Sequence, residues 1–285
     1  MIRKAKATVY GAISIVNAIA NQKGATLGIG LKVEATVEVS QGKGISIFSE
    51  NKSLSSKLIN KTIEKIISKK DLEKNKVSVT LVSEIPTGYG LKSSSAISSA
   101  VALGCAKIFK SKYTDQQVLL AGVEASIETK VSITGAYDDA CSCYFGGFNI
   151  TDNAKRKRVH FEKIPNNLIA VIFIPKNRKR GNLKKLKILS PVFQKAWELA
   201  KNKDYWEAMT INGLATSSLL NSESNIIIEL IEKGALGASV SGNGPSVAAI
   251  VKKENESNIK KVFANYEGSI ITSKVSNKKA EVHEL

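Results

Sequence analysis

Pro86-Thr87-Gly88-Tyr89-Gly90-Leu91-Lys92-Ser93-Ser94-Ser95-Ala96 is the stretch from which the rest of the chain can be read. A proline and two glycines make its first part a loop, and serines are favoured at helix starts. Before it, Val77 to Val82 alternates and is β-branched, which reads as a strand; after it, the small residues from Ser95 to Phe109 read as a helix. A helix start presents unpaired backbone amides and a positive dipole end to an anion. Gly88 and Gly90 let backbone approach a phosphate closely, and the hydroxyls of Ser93, Ser94 and Ser95 can bond oxygens or reach a metal ion. Lys92 adds a positive charge at the same turn. No Gly-Lys-Ser/Thr ending stands at the spacing of a Walker A loop. Taken alone, the stretch is equally a well-capped Gly/Ser connection.

Towards the N-terminus, Ala5 to Tyr10 reads as a short strand and Leu27 to Val39 as a longer one, joined through Asn21-Gln22-Lys23-Gly24. Leu54 to Ile67 carries apolar residues at helical spacing. Towards the C-terminus, Asp115 is expected to cap a helix running to about Lys130, Asp138 to Tyr144 forms the first turns of another, and Gly146-Gly147 ends that unit. The second half holds a buried strand at Leu168 to Ile174 and two or three helices over Pro191 to Lys233. A strand, Gly-rich turn and strand follow over Ala238 to Val251, then a helix at Glu256 to Tyr266 and a strand at Ser269 to Val275. This order is that of an α+β protein. A boundary near residue 150 divides it into 1–150 and 151–285.

The net charge of +17 suits nucleic acid, an acidic surface or anionic small substrates. The lysines are scattered, and the aromatics do not interleave with the basic runs, so a base-stacking surface is not expected and phosphorylated ligands suffice to use the field. No apolar run reaches the ~20 residues of a membrane span, and the N-terminus lacks a signal-like apolar region, so a cytoplasmic protein is expected. Cys105, Cys141 and Cys143 are too few for a disulfide framework and lack nearby histidines for a zinc site; small buried thiols are expected.

Two further segments carry polar chemistry. Adjacent carboxylates at Asp138-Asp139 stand at a helix start, where simple capping explains them as well as catalysis does. Ser241-Gly242-Asn243-Gly244-Pro245-Ser246 is a Gly-x-Gly turn between strands, most often a tight hairpin.

The first loop resembles the central phosphate loop of the galactokinase, homoserine kinase, mevalonate kinase and phosphomevalonate kinase (GHMP) family, Pro-x-x-x-Gly-Leu-Gly-Ser-Ser-Ala. Lys92 stands where most members have glycine, which costs if the position needs φ > 0; the archaeal shikimate kinase branch is similar in reading Gly-Leu-Lys-Ser-Ser-Ser-Ala. Ala12 to Ala20 also resembles that branch. The resemblance implies a two-domain fold, an N-terminal ribosomal-protein-like βα domain and a C-terminal ferredoxin-like domain. It implies ATP and Mg2+ as cofactors and ATP-dependent phosphorylation of the 3-hydroxyl of shikimate, with no nucleic acid or membrane partner. Pro86, Gly88, Tyr89, Gly90, Leu91, Lys92 and Ser93 to Ser95, with Gly242 and Gly244, would hold the nucleotide. Asp139, seven residues before Gly146, is similar in position to the family's catalytic aspartate. Glu128, eleven residues before Asp139, is similar to its magnesium-binding glutamate, with Ser94 the second metal ligand. Lys6 and Lys92 would neutralise charge on the transferring group, and Arg178 or Arg180 would meet the substrate carboxylate. The alternatives are homoserine kinase, argued against by the Asp138-Asp139 pair, a mevalonate-pathway kinase, and a basic nucleic-acid-binding domain.

Overall fold

Val33, Ala35, Val37 and Val39 are buried while Lys32, Glu34, Thr36 and Glu38 between them are not, the period of a strand with one covered face. That strand is the spine of the first of two sheets. The structure, a computed structural model, describes residues 2–50, 54–110, 112–177, 181–220 and 225–285. The first half contains β1 (Arg3–Val16), β2 (Lys23–Gln41), β3 (Gly44–Ser49), α1 (Ser56–Ile66), α2 (Lys69–Lys74) and β4 (Asn75–Ser83). It continues through α3 (Ser93–Phe109), α4 (Asp115–Glu128), α5 (Tyr137–Phe145), β5 (Phe148–Asp152) and β6 (Lys157–Glu162). The second half contains β7 (Leu168–Pro175), a short 3-10 helix (Leu183–Leu189), α6 (Ser190–Lys201), α7 (Tyr205–Leu219) and α8 (Asn225–Glu232). It ends with β8 (Gly237–Val240), β9 (Val247–Lys252), α9 (Glu256–Phe263), β10 (Gly268–Lys274) and β11 (Glu281–Glu284).

The first sheet runs β11-β1-β2-β4-β3, with β5 pairing the start of β2 and β6 pairing β5. Residue 150 therefore falls inside a strand of this sheet, and the last strand of the chain returns to it beside β1. The second sheet is antiparallel in the order β10-β7-β9-β8, the β-α-β-β-α-β arrangement of a ferredoxin-like unit. Along β7, Ala170 and Ile172 join the large core shared with the first sheet, while Val171 and Phe173 pack with Ile227 of α8 and Phe263 of α9. The chain is thus the two-domain α+β protein the resemblance implied. No helix among the described residues is long and apolar enough to cross a membrane.

β1 extends six residues past Tyr10, where its sequence alternation ends. From Val9 to Val16 every residue is buried, so both faces are covered and the polar–apolar alternation disappears. α3 is buried nearly all round by small residues, Ala96, Ala100, Ala102 and Ala106 among them. Its first turn and the second half of β1 meet at the join between the two units.

Candidate active site

Lys92 occupies the N-cap of α3 with φ 64°, left-handed backbone that glycine adopts more readily, and it makes no side-chain cap. The first-turn amides of Ser93, Ser94 and Ser95 are left for another acceptor. The Lys92 side chain is buried. Its Nζ lies 2.9 Å from Oδ1 of Asp139 and donates to Oγ of Ser14 at 2.8 Å. Ser14 Oγ also accepts the Gly242 amide at 2.9 Å, so one hydroxyl joins β1, the phosphate-type loop and the β8–β9 turn.

That turn is seated on the first loop. Ser241 Oγ donates to the Gly90 carbonyl at 2.9 Å and Ser246 Oγ to the Tyr89 carbonyl at 2.6 Å. A Cβ on Gly90 would stand 1.9 Å from the Ser241 carbonyl oxygen, so the contact requires glycine. Asn17 Nδ2 donates to the Gly242 carbonyl at 2.7 Å, and the Asn17 amide donates to Oδ1 of Asn212 at 2.8 Å.

These elements enclose a cavity of about 430 Å³. Gly88, Gly90, Lys92, Ser93, Ser94, Ser95, Asp139 and Gly242 all line it, as the sequence reading grouped them. Gly244 shapes the turn, its amide donating to Ser241 at 2.9 Å; Leu91 is in the core; Pro86 begins the loop; none of the three lines the cavity, nor does Tyr89. Two expected residues stand elsewhere. Lys6 lies on β1 with its Nζ 2.9 Å from Glu34 and does not line the cavity. Glu128 faces α1, paired with Lys65 and, at 3.5 Å, with Lys61; these two cations hold its carboxyl below the usual range. The reason is helical phase: at the end of α4, Ser126 faces the cavity while Glu128 points outward. Arg178 and Arg180 lie outside the described residues.

Asp138 also lines the cavity, but its carboxyl is engaged. Asn153 Nδ2 donates to Oδ1 at 2.7 Å, and the Asp138 amide donates back to Asn153 Oδ1 at 3.2 Å. Burial, then the neighbouring Asp139 charge, push its pKa up to about 7, against the opposing pull of Lys92. Asp139 is the carboxyl that meets the ammonium and the cavity. Ser14, Asn17, Ser126, Lys130 and Thr134 complete the wall and were not picked out from the sequence as site residues. Ser14 and Asn17 are polar residues inside the apolar run from Ala12 to Ala20, which is the signal that marks them. The three cysteines are buried and unpaired, and burial raises their thiols above the usual range.

For a divalent cation, the pairing of Ser94 with Glu128 does not fit, since only Ser94 is at the cavity. Among the described residues no cluster of three His, Cys, Asp or Glu side chains could hold an ion. A hard cation here would draw its oxygen ligands mostly from phosphate and water.

A helix start open to an anion, without a Walker lysine and beside a carboxylate–ammonium pair, has the chemistry that phosphoryl transfer to a small molecule requires. Residues 57–147 match the model of the GHMP kinase N-terminal domain and residues 207–268 that of the GHMP kinase C-terminal domain. The chain is 36% identical to a shikimate kinase of Methanobrevibacter smithii, over 94% of this chain and 95% of that protein. It is 34% identical to a shikimate kinase of Methanosarcina mazei, over 97% and 96%. Among solved structures it is similar to homoserine kinase from Cytophaga hutchinsonii, with a TM-score of 0.76 at 17% identity, covering 98% of this chain and 97% of that one. The chain belongs to the GHMP kinase family.

Proposed function

We propose that this kinase transfers the γ-phosphoryl group of ATP to the 3-hydroxyl of shikimate, giving shikimate 3-phosphate and ADP. The observation that carries the reading is the Lys92–Asp139 pair, 2.9 Å apart at the wall of the cavity onto which the first turn of α3 opens. Full-length similarity to proteins named shikimate kinase supplies the acceptor. The phosphate tail lies against the amides of Ser93 to Ser95, where the helix dipole favours negative charge. Asp139 accepts a hydrogen bond from the acceptor hydroxyl and aims its oxygen at the terminal phosphorus. The new P–O bond forms as the bond to the departing ADP breaks, and the hydroxyl proton passes to the Asp139 carboxylate. Positioning and charge stabilisation supply most of the catalysis in such transfers, so a weak base suffices. Lys92 holds Asp139 in place and offsets charge on the transferring group. Magnesium would be held by the Ser94 hydroxyl and phosphate oxygens, and supplies neutralisation of phosphate charge when bound.

The test offers ATP and magnesium with shikimate, homoserine or mevalonate in parallel and follows ADP release. Shikimate alone should stimulate turnover, and Asp139→Asn should abolish it while nucleotide affinity stays near wild type. Turnover with homoserine only would overturn the acceptor and leave the family intact. Strong residual turnover in Asp139→Asn would overturn the role of that carboxylate.

A further inference from the structure

α4 ends in a Schellman motif. The Lys130 amide donates to the Ile127 carbonyl and the Val131 amide to the Ser126 carbonyl, both at 3.0 Å, which places Lys130 at the left-handed position with φ 58°. Glycine is the usual residue there, because a Cβ is penalised. Six non-glycine residues with positive φ occur among the described residues, and three of them, Lys92, Lys130 and Ala136, line this cavity. Strained backbone persists where the side chain it presents is worth keeping.

The location of Lys130 follows from helix packing. Gly122 of α4 is pressed on α3, where a Cβ would stand 2.7 Å from Ser98 Oγ. One turn further along α4, Ser126 lines the cavity together with Ser94 and Ser95, one turn back along α3. The end of α4 is therefore beside the start of α3, and Lys130, the next turn on, lines the same cavity as the first turn of α3. Lys92, the other lysine lining the cavity, is taken up by Asp139. Among the described residues Lys130 is in no ion pair, whereas Lys61 and Lys65 of α1 both bind Glu128.

From this we infer that Lys130 is a substrate-binding residue that clamps the nucleotide's phosphate tail from the α4 side, opposite the amides of α3. The wall that a metal-binding carboxylate was expected to occupy presents a cation instead. The anion it meets is a phosphate or, on the same chemistry, the carboxylate of the acceptor. Proximity to the α3 start favours the phosphate.

The inference rests on the kinase reading but not on the identity of the acceptor, so binding is measured without one. The non-hydrolysable analogue AMPPNP with magnesium is titrated calorimetrically into wild type, Lys130→Gly and Lys130→Arg, and the same proteins are unfolded thermally. Lys130→Gly relieves the backbone penalty, so its Tm should equal or exceed that of wild type. Its AMPPNP Kd should rise about 10-fold or more through loss of a charge-assisted contact, and Lys130→Arg should restore most of the affinity. An unchanged AMPPNP Kd in Lys130→Gly overturns the proposal. A lowered Tm in Lys130→Gly overturns the strain argument, since the lysine would then be serving the fold. Failure of wild type to turn over shikimate while AMPPNP behaves as expected would sink the acceptor assignment alone.

Discussion

Replacing Lys92 by methionine tests the site's electrostatics with little change in side-chain length or backbone demand. The ammonium it removes lies 2.9 Å from Asp139 Oδ1 and 2.8 Å from Ser14 Oγ, with the two charged side chains only 5% and 17% exposed. At 2.9 Å and an effective dielectric of ~20, the attraction is about 6 kcal/mol. Part of it is returned, because methionine has no charge to desolvate. Losing one partner of a buried pair typically costs ~3–5 kcal/mol, and that is the expected loss for Lys92→Met. Asp139→Asn orphans the ammonium instead and should also destabilise. In Lys92→Met/Asp139→Asn neither charge remains, so much of the loss should be recovered and the double-mutant cycle should show strong coupling. Urea unfolding of the four proteins measures this, with unchanged m-values showing that the unfolding transition is comparable. A Lys92→Met cost below about 1 kcal/mol, the range of a solvated surface pair, would refute the reasoning. So would two single losses that simply add.

Glu128 is expected to be dispensable for chemistry: Glu128→Gln breaks its pairs with Lys61 and Lys65 on the outer side of α4, and turnover and its magnesium dependence should stay near wild type in a coupled ADP assay. Asp138 predicts a pH effect on stability. Its folded pKa stands at about 7, against an unfolded value of 3.8, so the native state binds more protons in between. Stability should therefore be fullest at the acid end of that window and decline as pH rises towards 7, with the charged Asp139, Lys92 and the Asn153 amide facing the group. Asp138→Asn, neutral throughout, should remove that slope, which urea midpoints below and above pH 7 would measure.

Features set by neighbouring residues are legible in the sequence. The strand–loop–helix at Val77 to Phe109, the Asp138–Asp139 helix start and the Gly242 turn each carry their own chemistry in a short segment, and seven of the loop and turn residues plus Asp139 share one cavity. Helix boundaries came within a few residues for the same reason, since caps and periodicity are properties of neighbouring residues. Even so, the cap of α4 is Thr114 with Gln117, one residue earlier than expected.

Errors fall where a side chain's direction depends on a distant partner. The family resemblance put Glu128 beside Ser94, but the phase of α4 against α1 turns it to two lysines, and Lys6 goes to Glu34 across the β1–β2 ladder. The second half of β1 has no legible period, because burial on both faces erases alternation, and Ser14 lies within it with Asn17 just beyond its end.

The amino-acid sequence by itself determined the family, most of the helices and the Gly/Ser loop before α3, because glycine, proline and serine impose their conformations through local sterics and hydrogen bonding; β3, β5, β6 and β11 carry no such local signal and emerge only from the sheet pairing. Only the tertiary structure decided which charges meet. The Lys92–Asp139–Ser14 junction and the cavity position of Lys130 join segments far apart in the chain, and packing of two sheets and their helices sets those distances.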